Sequence, residues 1–228
     1  MKYKWLLFDA DNTLFDFTYS QRKALENSFD HYNLKYKNEV FDEFVKINFT
    51  IWSAYDRNEI THEEIKSERF SRLFTVYGIS GIDLKDFNNY FIGQLIFNSK
   101  LLEGAEEILR YLHGKTSIAL ITNGMKEVQR PRYEQCHLKH IFDKVFISGE
   151  IGMSKPNFEY FRYVHLETGN FEKEKYLVVG DNLIADVKGG KDYGFRTCWY
   201  NIHNEQKEEN SYADYTIKNL NELIALIN

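Results

Sequence analysis

Two aspartates, Asp9 and Asp11, stand two residues apart at the end of the apolar run Leu6-Leu7-Phe8 and are followed by Asn12 and Thr13. Such a run reads as a buried parallel strand. If the strand reaches Asp9, it delivers two carboxylates to its carboxyl end, where open α/β sheets bind ligands. Burying like charges side by side is costly unless a cation neutralises them or they share a proton. Hard oxygen ligands therefore predict a divalent metal, magnesium foremost. The stretch also predicts chemistry with one carboxylate as nucleophile. The competing reading is a strand-ending turn with a helix cap, because Asp, Asn and Thr are common turn residues. Partners elsewhere in the chain decide between the two.

Three further apolar runs lead into polar sets. Ser117 to Thr122 ends in Thr122 and Asn123, followed by Gly124. Lys144 to Ser148 leads into a loop that carries Lys155 before Pro156. Tyr176 to Val179 ends in Gly180 and Asp181, with Asp186 five residues on. In a parallel sheet these ends lie on one edge, so the sets can converge although far apart in sequence. A nucleophile, a second acid, a hydroxyl with an amide, one cation and a further carboxylate pair suit attack on phosphorus.

The elements that must position these groups fall into two kinds. From about Tyr19 to Ser99 the pattern is helical, with candidates over Ser20 to Tyr32, Asn38 to Asp56, Thr61 to Tyr77 and Asp83 to Phe97. Phe41, Phe44, Val45, Ile51, Trp52 and Tyr55 form one stripe of the second. Thr61-His62-Glu63-Glu64 has capping-box spacing and starts the third. After Leu101 strands and helices alternate. Helices are predicted over Gly104 to His113, from Pro131, from Pro156 or Asn157, over Ile184 to Tyr193 and over Asn219 to Ile227. Pro131 is taken as a first helical residue, with Met125 to Arg130 a looser lead-in. Arg196 to Tyr200 and the stretch near Tyr215-Thr216-Ile217 complete the strands. The expected fold is α/β: a Rossmann-like parallel sheet flanked by helices, with an inserted all-helical module.

The 228 residues, 43% hydrophobic and 16% aromatic, suffice for a large core and one or two domains. A net charge of −5 argues against holding nucleic acid by phosphate neutralisation but leaves room for a small anionic substrate. Cys136 and Cys198 are far apart, which speaks against a disulfide scaffold and fits a reducing cytoplasm. Both are read as packing residues. No apolar run reaches membrane-spanning length, and no signal peptide is read at the N-terminus. His137 and His140 are expected at the surface near a helix end rather than on a metal.

In four ordered motifs the chain resembles the haloacid dehalogenase-like (HAD) superfamily of phosphohydrolases: Asp9-Ala10-Asp11-Asn12-Thr13, Thr122-Asn123-Gly124, Ser154-Lys155-Pro156, and Gly180-Asp181 through Asp186. The resemblance implies a phosphohydrolase core over 1–15 and 101–228 and a helical cap over 16–100. It implies that Asp9 attacks phosphorus and forms an aspartyl-phosphate, and that Asp11 protonates the leaving oxygen and then deprotonates water. For the first of these Asp11 must hold a proton next to other carboxylates. Magnesium is implied on Asp9, the Asp11 main-chain carbonyl and Asp181. Thr122, Asn123 and Lys155 are implied to bind phosphoryl oxygens, and Asp186 to steer Lys155 or a metal-bound water.

Within the superfamily the chain resembles the bacterial pyrimidine 5′-nucleotidases. The resemblance rests on the opening from Phe8 to Phe17, the tract with Trp52, Tyr55, Asn58 and Ile60-Thr61, and the run Thr197 to Asn201. Asn182, where a small hydroxyl residue is commoner, and Pro131 depart from that pattern. The implied substrate is a nucleoside 5′-monophosphate, for a monomer or homodimer in the cytoplasm. A sugar-phosphate phosphatase or phosphomutase is the alternative. A phospho-accepting signalling module is the alternative of another class, although such receivers are shorter and carry no inserted cap. Asp11 argues against dehalogenation, since halide leaves without a proton. A cap would read the leaving group and exclude water, with Asp16 to Tyr19 and Asn98 to Leu102 as its hinges. Phe15, Phe17, Trp52 and Tyr55 could stack on a base. For Trp52 and Tyr55 the inner stripe of a cap helix is the preferred reading.

Overall fold

A computed structural model describes residues 1–57, 59–202 and 212–228. It divides into two compact units, Met1–Asp16 with Lys100–Asn228, and Phe17–Ser99.

The chain enters through strand β1 (Trp5–Asp9), whose five residues are all buried. Next come four helices: α1 (Phe17–His31), α2 (Asn38–Asp56), α3 (His62–Tyr77) and α4 (Leu84–Phe97). Helix α1 begins three residues before the sequence expectation. The start of α3 follows from its capping box: the Thr61 side chain accepts from the Glu64 N–H, and the Glu64 carboxylate accepts from the Thr61 N–H at 2.7 Å. Gly78, at φ 62°, ends it in the left-handed region that favours glycine. Phenylalanines fill the core of this unit. Phe70 and Phe87 meet edge to face at 4.8 Å, and Phe44 stacks on Phe70 at 5.6 Å. Within α2, Trp52 meets Tyr55 edge-on, and Tyr55 stacks on His62 of α3. Asn58, from the same tract, lies outside the described residues.

The other unit continues with α5 (Ala105–Leu112), β2 (Ser117–Thr122), α6 (Lys126–Gln135), β3 (Lys144–Ile147), α7 (Ser148–Ile151) and α8 (Phe158–Glu167). Then come β4 (Tyr176–Gly180), a π-helical turn (Leu183–Lys188), α9 (Gly189–Tyr193), β5 (Arg196–Tyr200), β6 (Tyr215–Ile217) and α10 (Leu223–Ile227). The strands form one parallel sheet in the order β3-β2-β1-β4-β5-β6. Alternation along β1 explains why the whole strand is apolar. Leu6 and Phe8 face one side, with α5 and α10, while Trp5 and Leu7 face the other, with α8. The order places β1 in the middle, between β2 and β4, so three polar strand ends stand side by side.

The two expected crossings are paired to each other close to the sheet: the Asp16 N–H donates to the Lys100 carbonyl at 3.0 Å and the Leu102 N–H to the Leu14 carbonyl at 2.8 Å. Three helix expectations need correction. Helix α6 starts at Lys126, so Pro131 lies inside it. Burial of Val128, Gln129 and Arg132 holds that helix and outweighs the single hydrogen bond that Pro131 removes. The expected helix over Ile184 to Tyr193 is a π turn followed by α9. Its Asn182 departure has a structural use: the Asn182 side chain caps the turn, accepting from the N–H groups of Ile184 and Ala185. The last segment opens with a 3₁₀ turn, Leu220–Glu222, before α10.

Candidate active site

Asp9 is the last residue of β1, and the chain bends sharply after it, with Asn12 at φ 59°. Thr13 is fully buried and ties this loop to the end of β4. Its hydroxyl accepts from the Asp181 N–H at 3.0 Å and donates to Asp181 Oδ1 at 3.3 Å. From β5, Trp199 Nε1 donates to the Asp181 carbonyl at 2.9 Å. Asp181 is thus held from both neighbouring strands.

Lys155 is the buried cation of the site. Its Nζ donates to Asp9 Oδ1 at 2.6 Å, to Asp186 Oδ1 at 2.6 Å and to the Ile121 carbonyl at 3.2 Å. Burial works against its charge, but the carboxylates of Asp186 and Asp9 outweigh it and hold the ammonium well above the usual lysine range. Asn123 places Lys155: its Nδ2 donates to the Lys155 carbonyl at 2.7 Å and its Oδ1 accepts from the Lys155 N–H at 2.8 Å. The Asn123 side chain thereby fixes both the N–H and the carbonyl of Lys155. Thr122, also buried, accepts from the Gly124 N–H at 3.2 Å.

Asp186 is fully buried on the π turn, and its Oδ2 accepts from the Asn182 N–H at 3.1 Å. A Cβ on Gly180 would overlap the Asp186 carboxylate, so glycine at the end of β4 makes room for it. Asp9, Asp181 and Asp186 each offer an oxygen, all lying within 4.8 Å of one another. Burial, followed by the neighbouring carboxylates, pushes Asp9 above the carboxylate range although Lys155 opposes it. Burial and then Asp186 push Asp181 up to about 7. Three hard-oxygen donors and one lysine leave negative charge in excess, so the residues present fit a divalent cation such as magnesium.

Asp11 has partners that the sequence reading missed. Its charge acts on Asp9 and Asp181, and its carboxylate is held by two nitrogen donors from α6. Arg132 Nη1 donates to Oδ1 at 2.5 Å and Gln129 Nε2 donates to Oδ2 at 2.6 Å. Both donors are buried, whereas the Asp11 side chain keeps 24% of its surface open. Gln129 and Arg132 are three apart on one helical face. Starting the helix at Pro131 separates them, so that signal is lost in the sequence. Thr13 stood within the first motif, but nothing in the sequence pointed to Asp181 as its partner. Elsewhere, His137 is exposed and pairs with Glu106 at 3.3 Å, and both cysteines are buried and free.

The structure thus gathers acids, a lysine and a hydroxyl at the carboxyl edge of a parallel sheet. Residues 6–200 match the family model described as haloacid dehalogenase-like hydrolase, and the chain belongs to that family. It is 32% identical over 227 residues to the pyrimidine 5′-nucleotidase YjjG of Escherichia coli, covering 100% of this chain and 99% of that one. It is 30% identical to the pyrimidine 5′-nucleotidase PynA of Streptococcus pneumoniae, covering 98% and 94%. The crystal structure of the putative HAD-hydrolase YfnB from Bacillus subtilis, bound to magnesium, superposes with a TM-score of 0.92 at 31% identity, covering 100% of both chains. With these relatives the chain stands among the HAD-type phosphatases. Among the described residues no helix is long and apolar enough to cross a membrane.

Proposed function

We propose that the protein is a magnesium-dependent phosphomonoester hydrolase that works through an aspartyl-phosphate on Asp9, with a pyrimidine nucleoside 5′-monophosphate as substrate. The observation that carries the chemistry is the buried Asp9 carboxylate, held by Lys155 at the centre of the sheet edge with one oxygen engaged. The substrate assignment rests on the full-length likeness to two pyrimidine 5′-nucleotidases.

In the first step Asp9 attacks phosphorus. A bond forms between its carboxylate oxygen and phosphorus as the ester P–O bond breaks, and a proton from Asp11 goes to the leaving oxygen. In the second step a water oxygen attacks the aspartyl-phosphate, its proton passes to Asp11, and Asp9 is released with inorganic phosphate. Lys155, the Thr122 hydroxyl and the Asn123 main-chain N–H bind the phosphoryl oxygens, while Asp186 keeps the Lys155 ammonium charged and in place. Asp9 and Asp181, with the Asp11 main-chain carbonyl, would hold magnesium, and Asp186 lies close enough to support it. When bound, the ion offsets charge on the phosphoryl oxygens. Choice of leaving group is assigned to the helical module over 16–100. A monomer or homodimer in the cytoplasm is the expected setting.

Phosphate release with magnesium tests this reading, on UMP, dUMP, dTMP, CMP, AMP, GMP, sugar phosphates and p-nitrophenyl phosphate, with Asp9→Asn beside the wild type. Preferential hydrolysis of pyrimidine monophosphates that is lost in Asp9→Asn is the expected result. Turnover of sugar phosphates alone would keep the chemistry and replace the substrate. No turnover by folded, magnesium-loaded protein would overturn the enzymatic mechanism.

A further inference from the structure

Two side chains of α6, Gln129 and Arg132, have no role in the mechanism above, yet both are buried and both end on the Asp11 carboxylate. Each takes a different oxygen, at 2.6 Å and 2.5 Å, so together they fix the plane of the carboxylate and not merely its distance. The donors are themselves braced. Arg132 Nη1 lies 3.3 Å from Gln129 Oε1, and the guanidinium sits over the Phe15 ring, 5.0 Å from its centroid. Gly124 completes the arrangement, because a Cβ there would overlap the end of the Gln129 side chain. The glycine that follows Thr122 and Asn123 therefore leaves space for a side chain that reaches Asp11.

We infer that Gln129 and Arg132 are positioning residues for proton transfer, holding the Asp11 carboxylate so that one oxygen lone pair is directed at the leaving oxygen and later at water. The inference rests on the hydrolytic reading above and deepens it. A carboxylate oxygen has two lone-pair directions. One on each Asp11 oxygen faces a buried nitrogen donor, and the other remains for the transferable proton on the side chain's open face. Without the two donors Asp11 would sample several rotamers, and proton delivery is sensitive to misplacement on the ångström scale.

The test separates positioning of the acid from general damage. An alkyl phosphate needs its leaving oxygen protonated, whereas p-nitrophenolate leaves without a proton. The readout is the ratio of kcat/KM for UMP to kcat/KM for p-nitrophenyl phosphate, with β-glycerophosphate as a second alkyl ester should UMP not be turned over. Arg132→Met and Gln129→Leu are expected to lower that ratio tenfold or more, within the range over which general acids act. Arg132→Lys, which keeps a charged donor, should restore most of it. If Arg132→Met does not fold, Gln129→Leu and Arg132→Lys carry the test. A ratio unchanged or raised in folded variants overturns the inference and leaves the hydrolase reading intact. A wild type that hydrolyses none of the three esters overturns the hydrolase reading itself.

Discussion

The Nζ of Lys155 stands 2.6 Å from Oδ1 of Asp9, a residue 146 positions away in the chain. The same ammonium also meets Asp186 at 2.6 Å, so one cation holds two buried carboxylates. Removing one partner of a buried ion pair leaves uncompensated charge, at a cost of about 3–5 kcal/mol. Lys155→Met should therefore lower the unfolding free energy from urea melts by an amount of that order, bringing the midpoint down, and abolish phosphate release. A variant with wild-type midpoint and activity would show that the triad contributes neither stability nor catalysis.

Gly124→Ala separates catalysis from stability. The atoms that an added Cβ meets run along the Gln129 side chain from Cγ to Nε2, so that side chain must turn away from Asp11. The melting temperature should change little, while the UMP to p-nitrophenyl phosphate ratio of kcat/KM falls as in Gln129→Leu. Equal loss on both substrates would place the damage elsewhere.

Magnesium should stabilise the protein as well as activate it, because a ligand that binds only the folded state raises stability by mass action, about 2.7 kcal/mol at 100 times its Kd. Thermal melts with EDTA and with millimolar magnesium should differ by several degrees in the wild type. The difference should vanish in Asp181→Asn, which removes one of the three clustered carboxylates. A full shift in that variant would move the ion to other ligands.

Asp214 gives a pH signature apart from the site. It accepts from Lys191 at 2.5 Å, from Arg196 at 3.0 Å and from the Thr197 N–H at 2.9 Å, pinning the approach to β6 against β5. Burial pushes its carboxyl up, but the bonds from Lys191, the Thr197 N–H and Arg196 outweigh this and hold it below the carboxylate range. The folded form then prefers the charged state more than the unfolded chain does. Its contribution is present above the unfolded value of 3.8 and is lost as pH falls through the lower folded one. Asp214→Asn should cost about 1–2 kcal/mol at pH 7, and the gap to the wild type in urea melts should narrow as pH falls below 3.8. A gap that stays constant with pH would assign the effect to packing.

The sequence by itself determined the strands, the helical insertion and the identity of the polar residues at the strand ends. These are local properties: an apolar run long enough to be buried on both faces, a capping box at Thr61, a 3.6-residue stripe on α2. Asp9, Thr122, Asn123 and Asp181 were legible because each sits where a buried strand stops, whereas Lys155 and Asp186 lie in the segments that follow. What only tertiary structure decided was pairing across the sheet edge. The order β2-β1-β4 brings Thr13 to Asp181 and Lys155 to both Asp9 and Asp186, and no local pattern encodes those contacts. The surroundings of Asp11 belong to the same class. Pro131 read as a helix start because proline is acceptable at a first helical position, yet burial of Gln129 and Arg132 carries α6 through it. Propensity is a local energy of a kcal/mol or a few, whereas burial and ion pairing sum over residues that the chain brings together only on folding.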